Sequence, residues 1–341
     1  MTGGLFLRVI LLVSLTGTYL QPSAGQTDMV VQEPSPVLIR FGGDCLLTNY
    51  YEEAVGDDIH RAFRELDLFR TADISMVNLE CPITTRGRRV HKPFNFRMHP
   101  QYIDVIKSAG ITIVNVANNH IFDYGSIGLF DTISYLDSAG IFHVGAGRNR
   151  AEARRPAVVA VRGKRIGFLG YYGGGEAPLA TEHLPGVADR NIAVISADIR
   201  SLRDRDSVDY LVVNLHWGTE KAPIPDRGQI TFARSVIDSG ADAVIGHHPH
   251  VLQGIEKYKN GIIVYSLGNL MFGGNSRSSY DTGIFEIRLS AEGPEFQFIP
   301  IRVSEWKASS LDGPEAAHMI AHVKKLSSMF PRPLFNEKES K

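Results

Sequence analysis

The stretch AVIGHHPH, residues 243–250, joins a short apolar run to three histidines. The apolar run predicts a buried strand, so the histidines follow at the end of that strand. His248 and His250 are two residues apart, a spacing that places both imidazoles on one side of an extended backbone. Pro249 restrains the backbone between them, and metal ligation needs side chains that are held in place in this way. The stretch therefore predicts a metal site at the end of a strand.

Elsewhere in the chain, short apolar runs predict further buried strands. These runs span residues 37–41, 74–77, 111–116, 166–169 and 210–215. Three stretches between the runs have helical spacing of apolar residues and are each followed by a glycine, a signal for a helix end: 100–109, 126–139 and 229–239. Strands that alternate with helices of this length predict an α/β fold with a mostly parallel sheet.

The last third of the chain has a different pattern, in which closely spaced strand candidates are separated by turn signals. These candidates span residues 255–258, 261–265, 284–289 and 296–303. We expect an antiparallel arrangement, because such short connections are typical of hairpins. A helix follows at about 314–328. We predict one folded domain over residues 37–305, and a C-terminal helix and tail over 306–341.

The N-terminus has the pattern of a targeting signal. An apolar run at residues 5–20 is followed by small residues at 23–25, which is typical of a signal peptide. We predict a signal peptide at residues 1–25 and a polar linker at 26–36, and hence an exported protein, periplasmic or extracellular. The alternative is an uncleaved membrane anchor, since the run is near the lower length limit for spanning a bilayer.

Charge and cysteine content exclude several classes of protein. The chain has 36 Lys and Arg against 37 Asp and Glu, so no global field favours nucleic acid or an anionic membrane as a partner. Cys45 and Cys81 are the only cysteines in 341 residues, which is too few for a disulfide framework. They form either one disulfide or, as is commoner for isolated cysteines, two buried free thiols.

Polar side chains of metal-binding types follow five of the predicted strands. They are Asp44, Glu80, Asn118, Asn119, His120, His216, His247, His248 and His250. Ligands of open α/β sheets lie beyond the carboxyl ends of the strands, so we expect these side chains to converge. Each one alone is typical of a cap, a turn or a satisfied polar group, whereas five such strand ends indicate a metal site. Carboxylate, amide and imidazole donors without thiolate favour a divalent ion such as Mn²⁺, Fe²⁺ or Zn²⁺.

Eight short motifs occur in a fixed order: GD at 43–44, NLE at 78–80, KPFNFR at 92–97, ANNH at 117–120, DYG at 123–125, HWG at 216–218, GHHPH at 246–250 and SLGN at 266–269. Together they resemble the CapA family of poly-γ-glutamate capsule synthesis proteins, which have a PGA_cap domain and belong to the calcineurin-like metallophosphatase superfamily. The resemblance covers roughly residues 37–303. It implies an α/β fold of metallophosphatase type, a four-layer α-β-β-α sandwich with a metal site at one sheet edge.

The resemblance also implies roles for individual residues. The side chains in the places of the superfamily's metal ligands, for one or two ions, are Asp44, Glu80, Asn118 or Asn119, His216, His248 and His250. His120 takes the place of the histidine that assists the leaving group, with Asp123 as its orienting partner, as the cap of the following helix, or as both. There are two departures. Leu46 stands where the superfamily's Asp-x-His pattern has its histidine, and Glu80 stands where it has an aspartate.

A basic segment after the second predicted strand is a candidate for substrate binding. Lys92 and Arg97 lie within the KPFNFR motif, where they would bind a carboxylate-rich or phosphate-rich substrate. Asn269, in the SLGN motif, is grouped with them as a substrate-binding residue. The three arginines within 86–89 are more simply explained as a charged loop that faces water.

Two hypotheses for function follow from the resemblance. The first is an extracytoplasmic, metal-dependent hydrolase that acts on a phosphoester or on an anionic polymer such as poly-γ-glutamate. The second is a non-catalytic accessory subunit of a membrane complex that makes or exports capsule polymer. The absence of a histidine at Leu46 favours the subunit, whereas the retained His120, His216, His248 and His250 favour the enzyme.

Overall fold

The computed structural model describes residues 35–48 and 50–335. The predicted signal peptide and most of the predicted linker lie outside these residues. Across the described ranges, no helix has both the length and the apolar character that a membrane span requires.

The strands of the described chain are β1 (Val37–Leu46), β2 (Ile74–Leu79), β3 (Ile113–Asn115), β4 (Phe142–Val144), β5 (Ala146–Gly147), β6 (Ala157–Val161), β7 (Lys164–Tyr172), β8 (Gly186–Val187), β9 (Tyr210–His216), β10 (Ala243–His247), β11 (Ile255–Tyr258), β12 (Gly261–Val264), β13 (Asn269–Phe272), β14 (Tyr280–Leu289), β15 (Pro294–Ser304) and β16 (Lys307–Ser310). The α-helices are α1 (Tyr51–Val55), α2 (Ile103–Ser108), α3 (Gly125–Ala139), α4 (Arg150–Ala153), α5 (Ile192–Asp206), α6 (Arg227–Asp238) and α7 (Gly313–Ser327).

Local signals fix the ends of the longer helices. Helix α6 begins at a capping box, in which the Asp226 carboxylate accepts the Gln229 backbone N–H at 2.8 Å and the Gln229 side-chain oxygen accepts the Asp226 N–H at 3.1 Å. Helix α3 ends at Gly140, whose φ of 73° is left-handed. The helix boundaries thus follow the signals that the sequence carries.

Two large sheets form the centre of the fold. The first has the order β16-β15-β14-β1-β2-β3-β4, with β13 also paired to β1, and its strands from β1 to β4 are parallel. The second has the order β11-β12-β10-β9-β7-β6, with parallel pairing from β12 to β7 and antiparallel strands at both edges. A small two-stranded sheet pairs β5 with β8.

Three apolar clusters define four layers. The inner cluster packs β1 to β3 of the first sheet against β7, β9, β10 and β12 of the second. A second cluster joins the outer face of the first sheet to α2 and α3, and a third joins the outer face of the second sheet to α5 and α6. The predicted four-layer α-β-β-α sandwich is therefore confirmed.

The C-terminal part differs from the sequence prediction in one respect. β11–β12 and β14–β15 are antiparallel pairs as predicted, but the two pairs belong to different sheets, and β12 also runs parallel to β10. Beyond residue 305, β16 extends the first sheet and α7 packs against β11 and β15. Helix α5 and the short strands β4, β6 and β13 were not anticipated from the apolar pattern.

Candidate metal centre

The side-chain alternation of the strands directs polar groups into the gap between the two sheets. In β2, Ile74 and Met76 lie in the inner core, so Asn78 and Glu80, two and four residues after Met76, point to the same face. In β9, Val212 lies in the inner core and His216 shares its face. The polar residues at these strand ends therefore continue the inner core at one edge of the sandwich.

β1 reaches the same face by an irregularity in its pairing. Its register with β2 shifts between Phe41 and Asp44, and this shift turns Asp44 toward the gap. Gly43 is required here, because a Cβ at this position would lie 1.9 Å from the Gly268 carbonyl oxygen. The close approach allows the Asp44 N–H to donate to that oxygen at 2.9 Å. Asp44 is thereby fixed beside β13 as well as β2.

Carboxylate and imidazole donors converge at this edge. Glu80 Oε1 lies 3.6 Å from His216 Nε2 and 3.7 Å from His250 Nε2, and Asp44 Oδ2 lies 3.2 Å from His250 Nδ1. The donors form three overlapping groups, and within each group the donor atoms lie within 4.8 Å of one another. The groups are Glu80, His216 and His248; Asp44, Glu80 and His250; and Glu220, His248 and His250. The first two groups, which share Glu80, consist entirely of residues predicted from the sequence.

The structure distinguishes the two neighbouring asparagines. Asn119 Oδ1 lies 2.8 Å from His216 Nε2, so it belongs to the cluster. Asn118 instead donates from Nδ2 to the Leu79 carbonyl at 2.8 Å and accepts the His120 N–H at 3.1 Å. Its amide holds the loop together and leaves Asn119 as the asparagine that faces the donors.

Asn78 was missed as a site residue, although it lies within the NLE motif. Its Nδ2 donates to Asp44 Oδ1 at 2.8 Å and to Glu80 Oε2 at 3.1 Å, and its Oδ1 accepts from Asn115 at 2.9 Å. Asn78 thus orients both carboxylates while it is itself held by β3. The signal available in the sequence was its position two residues before Glu80, on the same face of β2.

The loop after β10 adopts a backbone that the spacing argument did not anticipate. His248 has φ of 99° and His250 has φ of 57°, so both are left-handed and the segment is not extended as predicted. The His248 N–H donates to Asp44 Oδ2 at 3.2 Å, which helps to hold this turn. The two rings still converge, with centroids 5.9 Å apart. Strain at such positions is commonly stored where function requires it.

Asn269, predicted as a substrate-binding residue, contacts the cluster through His250. Its Oδ1 lies 2.9 Å from His250 Nδ1, on the opposite side of the ring from the nitrogen that faces Glu80. A hydrogen bond to the remote ring nitrogen fixes the tautomer and orientation of a ligating histidine. A cavity of about 750 Å³ opens beside His250 and Asn269 and extends to His318 and His322 of α7.

Burial and mutual charge shift the acidities in the cluster. Burial and the nearby Asp44 raise the pKa of Glu80 well above its usual range. Burial would also raise the pKa of Asp44, but the hydrogen bond and charge of His250 outweigh it and lower the pKa to about 2. Burial and the neighbouring histidines hold the pKa of His216 well below its usual range, so its imidazole is in the neutral form that binds metals.

Several buried donor atoms in this cluster lack partners within the described chain. They are Glu80 Oε1, His248 Nδ1 and both ring nitrogens of His247. Leaving such atoms unpaired away from water is costly, and a bound cation would satisfy Glu80 Oε1 and His248 Nδ1, which belong to the donor groups. His247, which the sequence left without a role, is fully enclosed, and burial lowers its pKa to about 4. The residues present therefore fit a divalent metal.

His120 lies next to the cluster with a partner for one ring nitrogen. Its Nδ1 is 2.8 Å from Asp123 Oδ2, and Phe96 packs on the ring with centroids 4.3 Å apart. The cap residue of α3 is Tyr124, with no side-chain hydrogen bond, so Asp123 does not serve as the helix cap. Asp123 therefore contacts His120 through Oδ2, while its other carboxylate oxygen, Oδ1, contacts Lys92.

The two basic residues of the KPFNFR motif lie in different settings. Lys92 points inward, with Nζ 2.6 Å from Asp123 Oδ1 and 2.7 Å from the Asn119 carbonyl oxygen. Arg97 is exposed, and its guanidinium lies 4.6 Å above the Tyr124 ring. Arg86 forms an ion pair with Asp131 while its side chain remains 69% exposed, as expected for a charged loop that faces water. Only Arg97 of these residues presents a free charge to a ligand.

The two cysteines do not form a disulfide. Cys45 and Cys81 are both buried free thiols in the outer cluster of the first sheet. Burial raises the pKa of the Cys45 thiol to about 12, which leaves it unreactive. The commoner of the two predicted states is therefore the one in the structure.

Known proteins are similar to this chain in sequence. The family model for the bacterial capsule synthesis protein PGA_cap matches residues 38–274. The chain belongs to the PGA_cap family. The capsule biosynthesis protein CapA of Bacillus anthracis is 30% identical over 311 residues, which are 88% of this chain and 75% of that protein. The PGA biosynthesis protein CapA of Bacillus subtilis strain 168 is 30% identical over 309 residues, with 88% and 80% covered.

A solved structure with low sequence identity resembles this PGA_cap chain in its fold. The NAD nucleotidase NadN of Haemophilus influenzae matches with a TM-score of 0.52 at 13% sequence identity, over 89% of this chain and 58% of that one. At this identity the match shows a common architecture and carries no residue roles. The fold of this PGA_cap member is thus of the metallophosphatase type.

Proposed function

We propose that the protein is an extracytoplasmic, metal-dependent hydrolase that acts on a phosphoester or on an anionic capsule polymer such as poly-γ-glutamate. One observation carries the proposal: enclosed carboxylate and imidazole donors without partners stand beside a histidine–aspartate pair. A scaffold has no need for such a pair next to the donors. The names of the Bacillus relatives, both capsule or PGA biosynthesis proteins, support a polymer as the substrate.

The residues that would hold the cation are Asp44, Glu80, Asn119, His216, His248 and His250. A divalent ion bound there supplies Lewis-acid stabilisation of charge on a phosphoryl or acyl oxygen and activates water. Mn²⁺, Fe²⁺ and Zn²⁺ all suit mixed oxygen and imidazole donors. Asn78 and Asn269 keep these side chains in their orientations through the hydrogen bonds described above.

His120 would act as a general acid at its Nε2 atom. Asp123 accepts from Nδ1, which fixes the tautomer and leaves Nε2 to exchange a proton with the substrate. Lys92 holds Asp123 from the other side and so positions the pair rather than the substrate. Arg97, exposed on the surface, is the residue that would attract a carboxylate-rich or phosphate-rich chain.

A second function, that of a non-catalytic accessory subunit, has one observation in its favour. β1 contributes a single donor to the cluster, since Leu46 is buried in the apolar outer cluster of the first sheet. A cation would then stabilise the fold or bind polymer without cleaving it. In that case His120 would be dispensable, which separates the two functions.

The test is turnover of a generic phosphodiester and of poly-γ-glutamate by protein loaded with Mn²⁺, Fe²⁺ or Zn²⁺. For the enzyme, His120→Ala keeps the metal and loses about 10²–10⁴-fold in turnover, the usual worth of general acid–base help. The matched control is His60→Ala, an exposed histidine bonded to Ser108. Wild-type protein that binds metal and shows no turnover on either substrate would support the accessory subunit.

A further inference from the structure

A cavity lies beside the donor cluster, lined by α7, the turn after β13 and the turn after β9. It has a volume of about 750 Å³ and reaches the cluster at His250 and Asn269. Ligand sites in proteins commonly have volumes of about 300–1,000 Å³. A phosphoryl or acyl group at the metal centre would fill only a small part of this space. The cavity therefore has room for the part of a substrate that extends away from the reacting bond.

The floor of the cavity is apolar. Leu252 and Met319 line it, and both are buried members of the inner cluster between the two sheets. Covering such a surface with the apolar groups of a ligand is favourable. The floor is therefore suited to the methylene groups of a bound chain.

Helix α7 contributes two imidazoles to the lining. His318 and His322 are both exposed and lie one helical turn apart, a spacing that places side chains on the same face with about 5–6 Å between their Cβ atoms. Within the described chain, no hydrogen bond, ion pair or ring contact engages either imidazole. An imidazole donates a hydrogen bond in its neutral and in its charged form. The pair thus offers two separate donors along one side of the cavity.

These two donors are held in place by the packing of their helix. Met319, Val323 and Leu326 attach α7 to the inner cluster. The Ser327 hydroxyl oxygen accepts the Ile255 N–H at 2.9 Å, which ties the end of the helix to β11. Groups on a packed helix are positioned more precisely than groups on a free loop.

The turn after β13 supplies further polar groups to the lining. The side chains of Asn275 and Ser278 are exposed and have no hydrogen bond within the described residues. Ser276, between them, fixes the turn: its hydroxyl oxygen accepts the Phe272 N–H at 2.9 Å and its carbonyl accepts the Trp306 N–H at 2.8 Å. An amide and a hydroxyl are therefore available to a ligand.

The charges of the lining favour an anion. The Lys221 ammonium has no ion pair among the residues that the structure describes, and the backbone of Lys221 is fixed by its N–H, which donates to the Pro249 carbonyl at 2.8 Å. The one acidic residue of the described lining is Asp281, whose Oδ1 lies 2.9 Å from Arg302 Nε. The negative charge is thus compensated, whereas the lysine charge is free.

We propose that this cavity binds a carboxylate-rich chain, with His318 and His322 as donors to its successive carboxylates. The inference rests on the proposed function and deepens it, because it selects the anionic polymer over a small phosphoester. A chain of methylene groups and regularly spaced carboxylates matches both the apolar floor and the separated donors. A phosphate group favours donors that converge on one point, such as an arginine fork, and the described lining contains no arginine.

The experiment measures binding of a short γ-linked oligoglutamate of defined length to the full chain loaded with Mn²⁺, by calorimetry. All variants are made in the His120→Ala background, so that the oligomer is held and not cleaved. His318→Ala combined with His322→Ala is expected to weaken binding by at least about 5-fold, because the loss of each hydrogen bond weakens it by about 2-fold or more. The Mn²⁺ affinity should not change, since neither histidine belongs to the donor groups.

Two further double variants complete the test. His60→Ala with His183→Ala removes two exposed histidines outside the cavity and should leave oligomer binding unchanged. His318→Arg with His322→Arg keeps a donor at both positions and should bind the oligomer at least as tightly as the parent protein does.

The outcomes separate this inference from the proposed function. If the double alanine variant on α7 binds the oligomer as tightly as the parent protein, the inference is wrong, while the hydrolase proposal stands. If a generic phosphodiester binds in place of the oligomer and loses the same affinity in that variant, the assignment to a carboxylate chain is wrong. If wild-type protein binds no Mn²⁺, the hydrolase proposal fails, and weaker oligomer binding by the variant then still supports the cavity as a polymer site.

Discussion

Replacing Lys92 by methionine tests whether this residue positions the site or binds the substrate. The Lys92 side chain is 12% exposed and that of Asp123 is fully buried, with 2.6 Å between the ammonium and the carboxylate. Lys92→Met keeps the length of the side chain but leaves the Asp123 charge without its cationic partner. It also removes the donor to the Asn119 carbonyl, 2.7 Å away. Removal of one partner from a buried pair costs about 3–5 kcal/mol of folding free energy.

The assay is urea unfolding of wild type, Lys92→Met, Asp123→Asn and the double variant. Because the two side chains share one interaction, the loss in the double variant should be smaller than the sum of the single losses by about 1–3 kcal/mol. Lys307→Met, which breaks an exposed ion pair with Glu65, serves as the control and should cost about 1 kcal/mol or less.

The substrate-binding interpretation of Lys92 makes a different prediction. A residue that only contacts substrate would raise KM and leave the unfolding free energy within about 0.5 kcal/mol of wild type. That result for Lys92→Met would refute the positioning role.

Three other predictions concern the site, the backbone and the N-terminus. Asn78→Ala removes the amide that orients Asp44 and Glu80, so Mn²⁺ affinity measured by calorimetry should fall by about 10–100-fold, and an unchanged affinity would contradict this. Gly43→Ala places a Cβ 1.9 Å from a carbonyl oxygen, so the thermal midpoint should drop with a loss of about 3 kcal/mol or more, whereas wild-type stability would show that β1 can move aside. N-terminal sequencing of protein recovered outside the cytoplasm should begin shortly after residue 25, and an intact N-terminus in the membrane fraction would indicate the anchor instead.

The fold was predictable because its signals are local and repeated. Apolar runs of strand length, helices that end on glycine and polar strand ends each follow from the order of residues within a few positions. The alternation along β2 also predicts that Glu80 points into the gap, since it is in phase with Ile74 and Met76. These features need no knowledge of distant contacts.

Details of the candidate site depended on contacts that the sequence does not encode locally. The choice of Asn119 over Asn118 follows from a hydrogen bond to Leu79, far away in the chain. The inward orientation of Lys92 follows from Asp123, and charged residues in a polar loop give no indication of such burial. The left-handed backbone of His248 and His250 depends on packing that the spacing of the histidines cannot reveal.

The register shift in β1 explains why strand alternation does not predict the position of Asp44. A regular strand that places Phe41 in the inner core would direct residue 44 to the outer face, where Cys45 and Leu46 in fact lie. The shift, permitted by Gly43, is what brings Asp44 to the other donors. Sequence alternation alone would therefore have excluded Asp44, whereas its position at a strand end and the motif resemblance both retain it.

We propose that the enclosed donors bind divalent metal through Glu80, which belongs to two of the three donor groups. The direct measurement is elemental analysis of protein purified without added metal, for wild type and for Glu80→Gln, a variant close to protonated glutamate in size. We predict one to two divalent ions per chain in wild type and loss of most of this metal in Glu80→Gln, with unchanged circular dichroism. Equal metal content in the two proteins, or none in the folded wild type, would contradict the claim.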